Sequence, residues 1–297
     1  MNPLPIAQFH NGMATLRLRD DRLLTITQPW VMGVINRSPN SFFRPHASLE
    51  SALETAERMV KEGATILDIG GEATNPFVNI VQEAPAVQVE IDRVVPVVSA
   101  IKKRFNVLVS VDTSRPAVMR AAAEVGADMI NDQRALREVD ALQTVATLRI
   151  PVCLMHFFNP PREPGSSHYA DLLQSIQSDL RAAIDRCQKG GIAKDRLIID
   201  PGFGQGHYGK NSNENFFLLT HLSAFVEMGF PVLSGWSRKS MVGDVLKADV
   251  SDRLYGSIAA DTIAAYQGAA IIRTHDVKAC SDAIKMAAHA RNLAFSS

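Results

Sequence analysis

The chain has 297 residues and no formal net charge, with Lys+Arg 31 against Asp+Glu 31. Hydrophobic residues make up 46% and charged residues 21%, which excludes a disordered chain and a nucleic-acid binder that works by bulk positive charge. No run approaches about 18 uninterrupted apolar residues, so neither a membrane span nor a membrane partner is expected.

Residues of about 13–27 predict a β-hairpin turning at Asp20-Asp21. The apolar runs that follow are Val31–Ile35, Ile66–Ile69, Val107–Val111, Met129–Ile130, Val152–Met155, Leu197–Ile199, Val232–Leu233 and Ala270–Ile272. Most are short, continuous and rich in Val and Ile, as strands buried on both faces are. The gaps predict amphipathic helices. Leu49, Ala52, Leu53, Ala56, Met59 and Val60 recur at helical spacing, as do Leu172, Leu173, Ile176, Leu180 and Ile184. Glu62-Gly63, Val125-Gly126 and Lys189-Gly190 mark helix ends where a glycine belongs just past the cap. Eight strand–helix units predict an α/β fold, a (β/α)8 TIM barrel preceded by the hairpin, since a doubly wound sheet usually stops at about five or six strands. One domain over 1–297 is expected, with 1–29 as a hairpin plug and 30–297 as the barrel.

Polar residues sit at or just beyond each run: Asn36, Asp68, Asp112, Asn131-Asp132, His156, Asp200, Ser237-Arg238-Lys239 and Arg273-Thr274-His275. In a parallel barrel all strand C-termini open onto the face that builds the active site. One Asp after a strand is commonly a turn or cap residue; eight such endings point to a functional constellation. Arg238, Lys239, Arg273 and His275 bring cations to the end of the last two strands, the usual phosphate site of a barrel. Asp112, Asn131 and Asp200 can match the donor edge of a fused heterocycle such as a pterin. Asn36 is a candidate oxygen ligand for a Mg²⁺ that also holds substrate phosphates. The cysteines Cys153, Cys187 and Cys280 form no CxxC pair and read as reduced thiols of a cytoplasmic protein.

Eight segments in order carry a family resemblance: MGVINRSPNSFF (32–43), LDIGGEATNP (67–76), VSVDTSRPAV (109–118), GADMIND (126–132), CLMHFFNPP (153–161), LIIDPGFGQG (197–206), SGWSRKSMVG (234–243) and IIRTHDV (271–277). From about Val31 to its end the chain resembles the dihydropteroate synthases of folate biosynthesis. That resemblance implies a transferase of the TIM-barrel class, a sulfonamide target. It would condense a 7,8-dihydropterin-CH₂-pyrophosphate with p-aminobenzoate, in a dissociative, Mg²⁺-assisted substitution that expels pyrophosphate.

The resemblance also implies residue roles. Asp112, Asn131, Asp200 and Lys239 would form the pterin pocket, lined by Met155 and Phe203. Asn36 would meet Mg²⁺ and pyrophosphate, and Arg273 and His275 would anchor the pyrophosphate. Thr74 and Pro76 in the second loop, with Arg238 and Ser240, would receive p-aminobenzoate. Asp112, Asp200, Lys239, Arg273 and His275 would be the catalytic set. A homodimer is implied, with helices of about 251–267 and 277–293 as its surface.

The loops depart from the family pattern. Asn40 replaces a loop-one acid, Arg44 occupies the next acidic position, and Asn75 replaces a loop-two arginine. Loop closure over the second substrate is therefore expected to be weaker. Gln133 takes a position where Val is usual, and a short insertion follows Gly204. Two other readings thus stay open: a diverged relative that binds a pterin without the condensation, and a pterin-dependent methyltransferase.

Overall fold

The structure, a computed structural model, describes residues 14–38, 43, 46, 48–72 and 84–294. It begins with an antiparallel hairpin, β1 (Ala14–Arg17) and β2 (Leu23–Ile26), paired in register from Ala14↔Ile26 to Arg17↔Leu23. Asp21 takes a φ of 64° in the connecting turn, a conformation that Asp tolerates better than most residues. Residues 1–13 of the expected plug lie outside the described residues.

Eight parallel strands follow: β3 (Trp30–Asn36), β4 (Ile66–Gly70), β5 (Leu108–Asp112), β6 (Met129–Asp132), β7 (Val152–Met155), β8 (Leu197–Asp200), β9 (Leu233–Ser234) and β10 (Ile271–Thr274). They pair in the order β8-β7-β6-β5-β4-β3-β10-β9. A bridge between Ile199 and Val232 brings the two edges together. Pro231 has no N–H to give there, but its carbonyl accepts the Ile199 N–H at 3.0 Å. The barrel is nearly closed.

Around the strands run α1 (Leu49–Lys61), α2 (Val87–Arg104), α3 (Pro116–Glu124), α4 (Ala141–Leu148), α5 (Tyr169–Lys189), α6 (Ser212–Thr220), α7 (Ser223–Val226), α8 (Ser240–Leu246), α9 (Leu254–Gln267) and α10 (Val277–Ala294). The last two crossovers hold two helices each where one was expected. Gly63 and Gly126 have φ of 102° and 103° just past their helices, as expected. At the end of α5 the left-handed position falls one residue later than expected, on Gly191 (φ 92°). Gly190 is helical in φ and is needed for another reason: a Cβ there would come within 2.1 Å of Leu142. Replacing Gly191 by Ala is expected to destabilise by about 1–2 kcal/mol through its left-handed φ alone, measurable as a lower urea midpoint with an unchanged slope.

Two cores result. The larger lies between sheet and helices and includes Val31, Leu67, Val109, Ile130 and Ile199. The smaller fills the barrel: Met32, Ile66, Met129, Cys153, Ile198, Leu233 and Ile271 meet Leu16, Leu18 and Ile26 of the hairpin. The hairpin thus closes the N-terminal mouth, tied by Arg17 to Asp195 at 2.7 Å and by Arg196 to the Leu18 carbonyl at 2.6 Å. Among the described residues the polar strand ends lie at the opposite mouth.

Candidate active site

Side chains alternate along a strand, so the residue two beyond each barrel-filling one also points inward. That step leads from Ile66 to Asp68, Ser110 to Asp112, Met129 to Asn131, Cys153 to Met155, Ile198 to Asp200 and Ile271 to Arg273. A largely apolar layer gives way to a largely polar one.

Arg273 organises that layer. Its Nε donates to Asp68 at 2.7 Å and an Nη to Asp112 at 2.9 Å, while the Asn131 amide donates to Asp68 at 3.1 Å. Gln133 donates to both Asp112 oxygens, at 3.0 and 2.9 Å. Asp200 accepts the Gly202 N–H at 2.7 Å and faces Lys239, whose ammonium donates to the Phe203 carbonyl at 2.5 Å. Burial pushes Asp112 up to about 7, against the pull of Arg273 and Gln133. It pushes Lys239 down to about 8, opposed by Asp200. Asp200 is likewise raised by burial and held down by Lys239.

A second cluster forms where β3 and β10 lie side by side. The Asn36 amide nitrogen donates to the Phe43 carbonyl at 3.3 Å and lies 3.4 Å from His275 Nε2. Ser237 Oγ accepts the His275 backbone N–H at 3.0 Å and lies 3.0 Å from the ring Nδ1. Among the described residues no group of three His, Cys, Asp or Glu is placed to hold a metal ion. With its nitrogen donating, Asn36 has its side-chain oxygen to offer a cation. One neutral oxygen suits only an ion whose other ligands arrive with a phosphate.

Carboxylates and an amide ringed around one mouth, with cations beside them, match a polar heterocycle that bears an anionic group. Over residues 32–275 the chain also matches the family described as pterin binding enzyme. The chain belongs to the pterin-binding enzymes. It is 44% identical over 270 residues, 90% of this chain and 96% of the other, to the dihydropteroate synthase of Haemophilus influenzae. Among solved structures it resembles a dihydropteroate synthase from Coxiella burnetii in complex with pteroic acid, at 61% identity and a TM-score of 0.90, covering 94% of this chain and 99% of that one. The dihydropteroate synthase of Yersinia pestis in a sulfonamide drug complex follows at 44% identity and 0.86, with the same coverage.

As a pterin-binding enzyme the chain places most expected residues at the mouth, with corrections. Asp68, singled out as following a strand, lies inside β4 and is fully buried as a counter-ion of Arg273. An acid flanked by Leu67 and Ile69 in a buried strand was the available signal. Arg273, expected as a pyrophosphate anchor, spans two carboxylates of the pocket itself. Arg238, expected at the arylamine carboxylate, is turned to Asp276 at 2.7 and 3.0 Å and to the carbonyl groups of Val250 and Ser251. It is 4% exposed and therefore holds its own loop. The Phe203 ring packs on Trp236 at 5.0 Å in the outer core, so its contribution to the pocket is its carbonyl. Met155 is buried at the end of β7, and Ser240 opens α8 beside Lys239. Thr74, Pro76, Asn40, Arg44 and Asn75 lie outside the described residues.

If Asp112 must be ionised and Lys239 charged to hold a pterin, affinity rises with pH through about 7 and falls through about 8. Calorimetric titration of a pterin between pH 5.5 and 9.5 is expected to give a narrow bell. A flat profile would remove these two groups from the pocket.

Proposed function

We infer that the chain is a dihydropteroate synthase. The single observation that supports this most is the ring of Asp112, Asn131, Asp200 and Lys239 at one barrel mouth, in a chain 61% identical over 94% of its length to a synthase bound to pteroic acid. The carboxylates and the amide oxygen accept from the N–H edge of the pterin, and Lys239 donates to its acceptor atoms. The substitution breaks the bond between the pterin CH₂ and the pyrophosphate oxygen, whose electron pair leaves with pyrophosphate. The arylamine nitrogen of p-aminobenzoate forms the new C–N bond and loses a proton to solvent.

Charge placement performs the catalysis. As positive charge builds on the pterin CH₂, ionised Asp112 and Asp200 stabilise it without reorganising, because Arg273 and the Gly202 N–H already hold them. Asn36 and His275, 3.4 Å apart, receive the pyrophosphate. The Asn36 oxygen would hold Mg²⁺ together with the pyrophosphate oxygens, and the ion would supply positive charge at the leaving group. Ser240, at the start of α8, with Thr74 and Pro76 of the second loop, receives p-aminobenzoate.

A homodimer is part of this reading. Tyr255, Ile263 and Tyr266 on α9 and Met286 and Leu293 on α10 are exposed, Tyr255 by 84% and Met286 by 70%, and apolar side chains gathered on two neighbouring helices suit a partner surface. The three buried free thiols suit a cytoplasmic setting. Among the described residues no helix is long and apolar enough to cross a membrane. Expression in a bacterial strain lacking its own dihydropteroate synthase tests the reading: growth without added folate end products is expected, and failure to grow with the protein present and folded would overturn it.

A further inference from the structure

Gln133 and Tyr208 each depart from the family pattern, one by replacing a Val and the other by lying in the short insertion. In the fold these two departures touch: the Tyr208 hydroxyl donates to Gln133 Oε1 at 3.0 Å, and Gln133 Nε2 donates to both oxygens of Asp112. We propose that Gln133 and Tyr208 act as one positioning relay, which fixes the Asp112 carboxylate in the orientation and ionisation state that a pterin requires. The proposal rests on the pterin reading of Asp112.

The direction of the relay follows from its chemistry. An ionised carboxylate only accepts, so Gln133 must turn its NH₂ to Asp112 and its carbonyl to Tyr208, whose hydroxyl then donates. Were Asp112 protonated, the amide could flip and reverse every bond. Ionised Asp112 therefore sets the amide orientation, and Tyr208 completes it as a donor to the amide oxygen.

The insertion is shaped to deliver that hydroxyl. At Gly204 (φ 159°) a Cβ would come within 2.4 Å of the Tyr208 ring, so only glycine leaves room for it. Lys210, fully buried, donates to the carbonyls of Gly202 and Tyr208 at 2.8 and 3.3 Å and staples the loop from beneath. Tyr208 is 7% exposed, with the Lys239 ammonium 5.9 Å from the centre of its ring. Loop and pocket are thus one hydrogen-bonded unit.

Other charges also face Asp112: Arg273 from β10, Asp68 from β4, Glu72 just beyond β4, and Lys239 ahead of α8. Removing the relay leaves these in place, so its effect is separable. The test compares Gln133→Met, close in volume but without hydrogen bonds, Tyr208→Phe, and the double variant, each beside the unaltered enzyme. Gln133→Met is expected to move the acid limb of kcat/KM for the pterin substrate to higher pH. At pH 6.5 it is expected to lower kcat/KM roughly tenfold, the scale of one hydrogen bond to a charged group, with a smaller loss at pH 8. Tyr208→Phe should act in the same direction but less, and add nothing in the Gln133→Met background. An unmoved acid limb, or additive losses, would overturn the relay. Asp112→Asn separates the two claims: if it abolishes pterin binding while the Gln133→Met profile stays put, the relay alone fails. If Asp112→Asn binds a pterin normally, the pocket assignment fails first and the relay with it.

Discussion

Replacing Arg273 by Gln is expected to destabilise the protein by about 3 kcal/mol at pH 8, the scale of a buried ion pair that loses one partner. Asp68 is fully buried and Asp112 nearly so, and the same guanidinium neutralises both. A shorter neutral amide cannot span the two sites, so at least one carboxylate remains charged and unpaired. The loss is expected to shrink as the pH falls. Without Arg273 the carboxyl of Asp112, already raised by burial, rises further above its unfolded value. A carboxyl raised in the folded state destabilises at high pH and ceases to do so as pH falls through that folded value. Urea unfolding at pH 8 and pH 6 measures both points; a loss under about 1 kcal/mol, or one independent of pH, would show that the pair is dispensable. Free pterin and pyrophosphate should both bind more weakly to this variant, because the guanidinium holds Asp68 and Asp112 rather than facing the anion alone.

The second large effect is expected at Asp200. Asp200→Asn keeps the volume and an oxygen for the Gly202 N–H but removes the charge opposite Lys239. Losing one charge-assisted hydrogen bond to a buried heterocycle costs about 1.5–3 kcal/mol, roughly a 10- to 150-fold rise in Kd for a pterin. Asp200 also holds Lys239 up against burial. The alkaline limb of binding should therefore move to lower pH in the variant. An unchanged Kd would sink the assignment of Asp200.

The strands were legible because both of their faces are buried, which forces continuous apolar runs such as Leu197–Ile199. Their inner layer was legible too, through the two-residue step from Ile198 to Asp200 or from Met129 to Asn131. What the sequence hid is who meets whom across the barrel. Arg273 and Asp68 are 205 positions apart, and no spacing rule says which carboxylate an inward arginine finds. Adjacent polar residues also divide in ways that pattern cannot show: in Ser237-Arg238-Lys239, Arg238 takes a φ of 61° and turns to Asp276, whereas Lys239 enters the pocket. Gly190-Gly191 shows the same limit on a local scale, since close contact with Leu142 and a left-handed φ fell to different glycines. Gln133 and the short insertion that holds Tyr208 each looked like an isolated irregularity. Their hydrogen bond across 75 positions gives both a common reason.

A synthase performs the condensation and does not only bind a pterin. Pyrophosphate release from dihydropterin pyrophosphate, with and without p-aminobenzoate and followed beside dihydropteroate formation, tests this most directly. The expected result is release that depends on p-aminobenzoate and matches product one for one. Tight pterin binding with no p-aminobenzoate-dependent release would contradict the account and leave a pterin-binding protein without this chemistry.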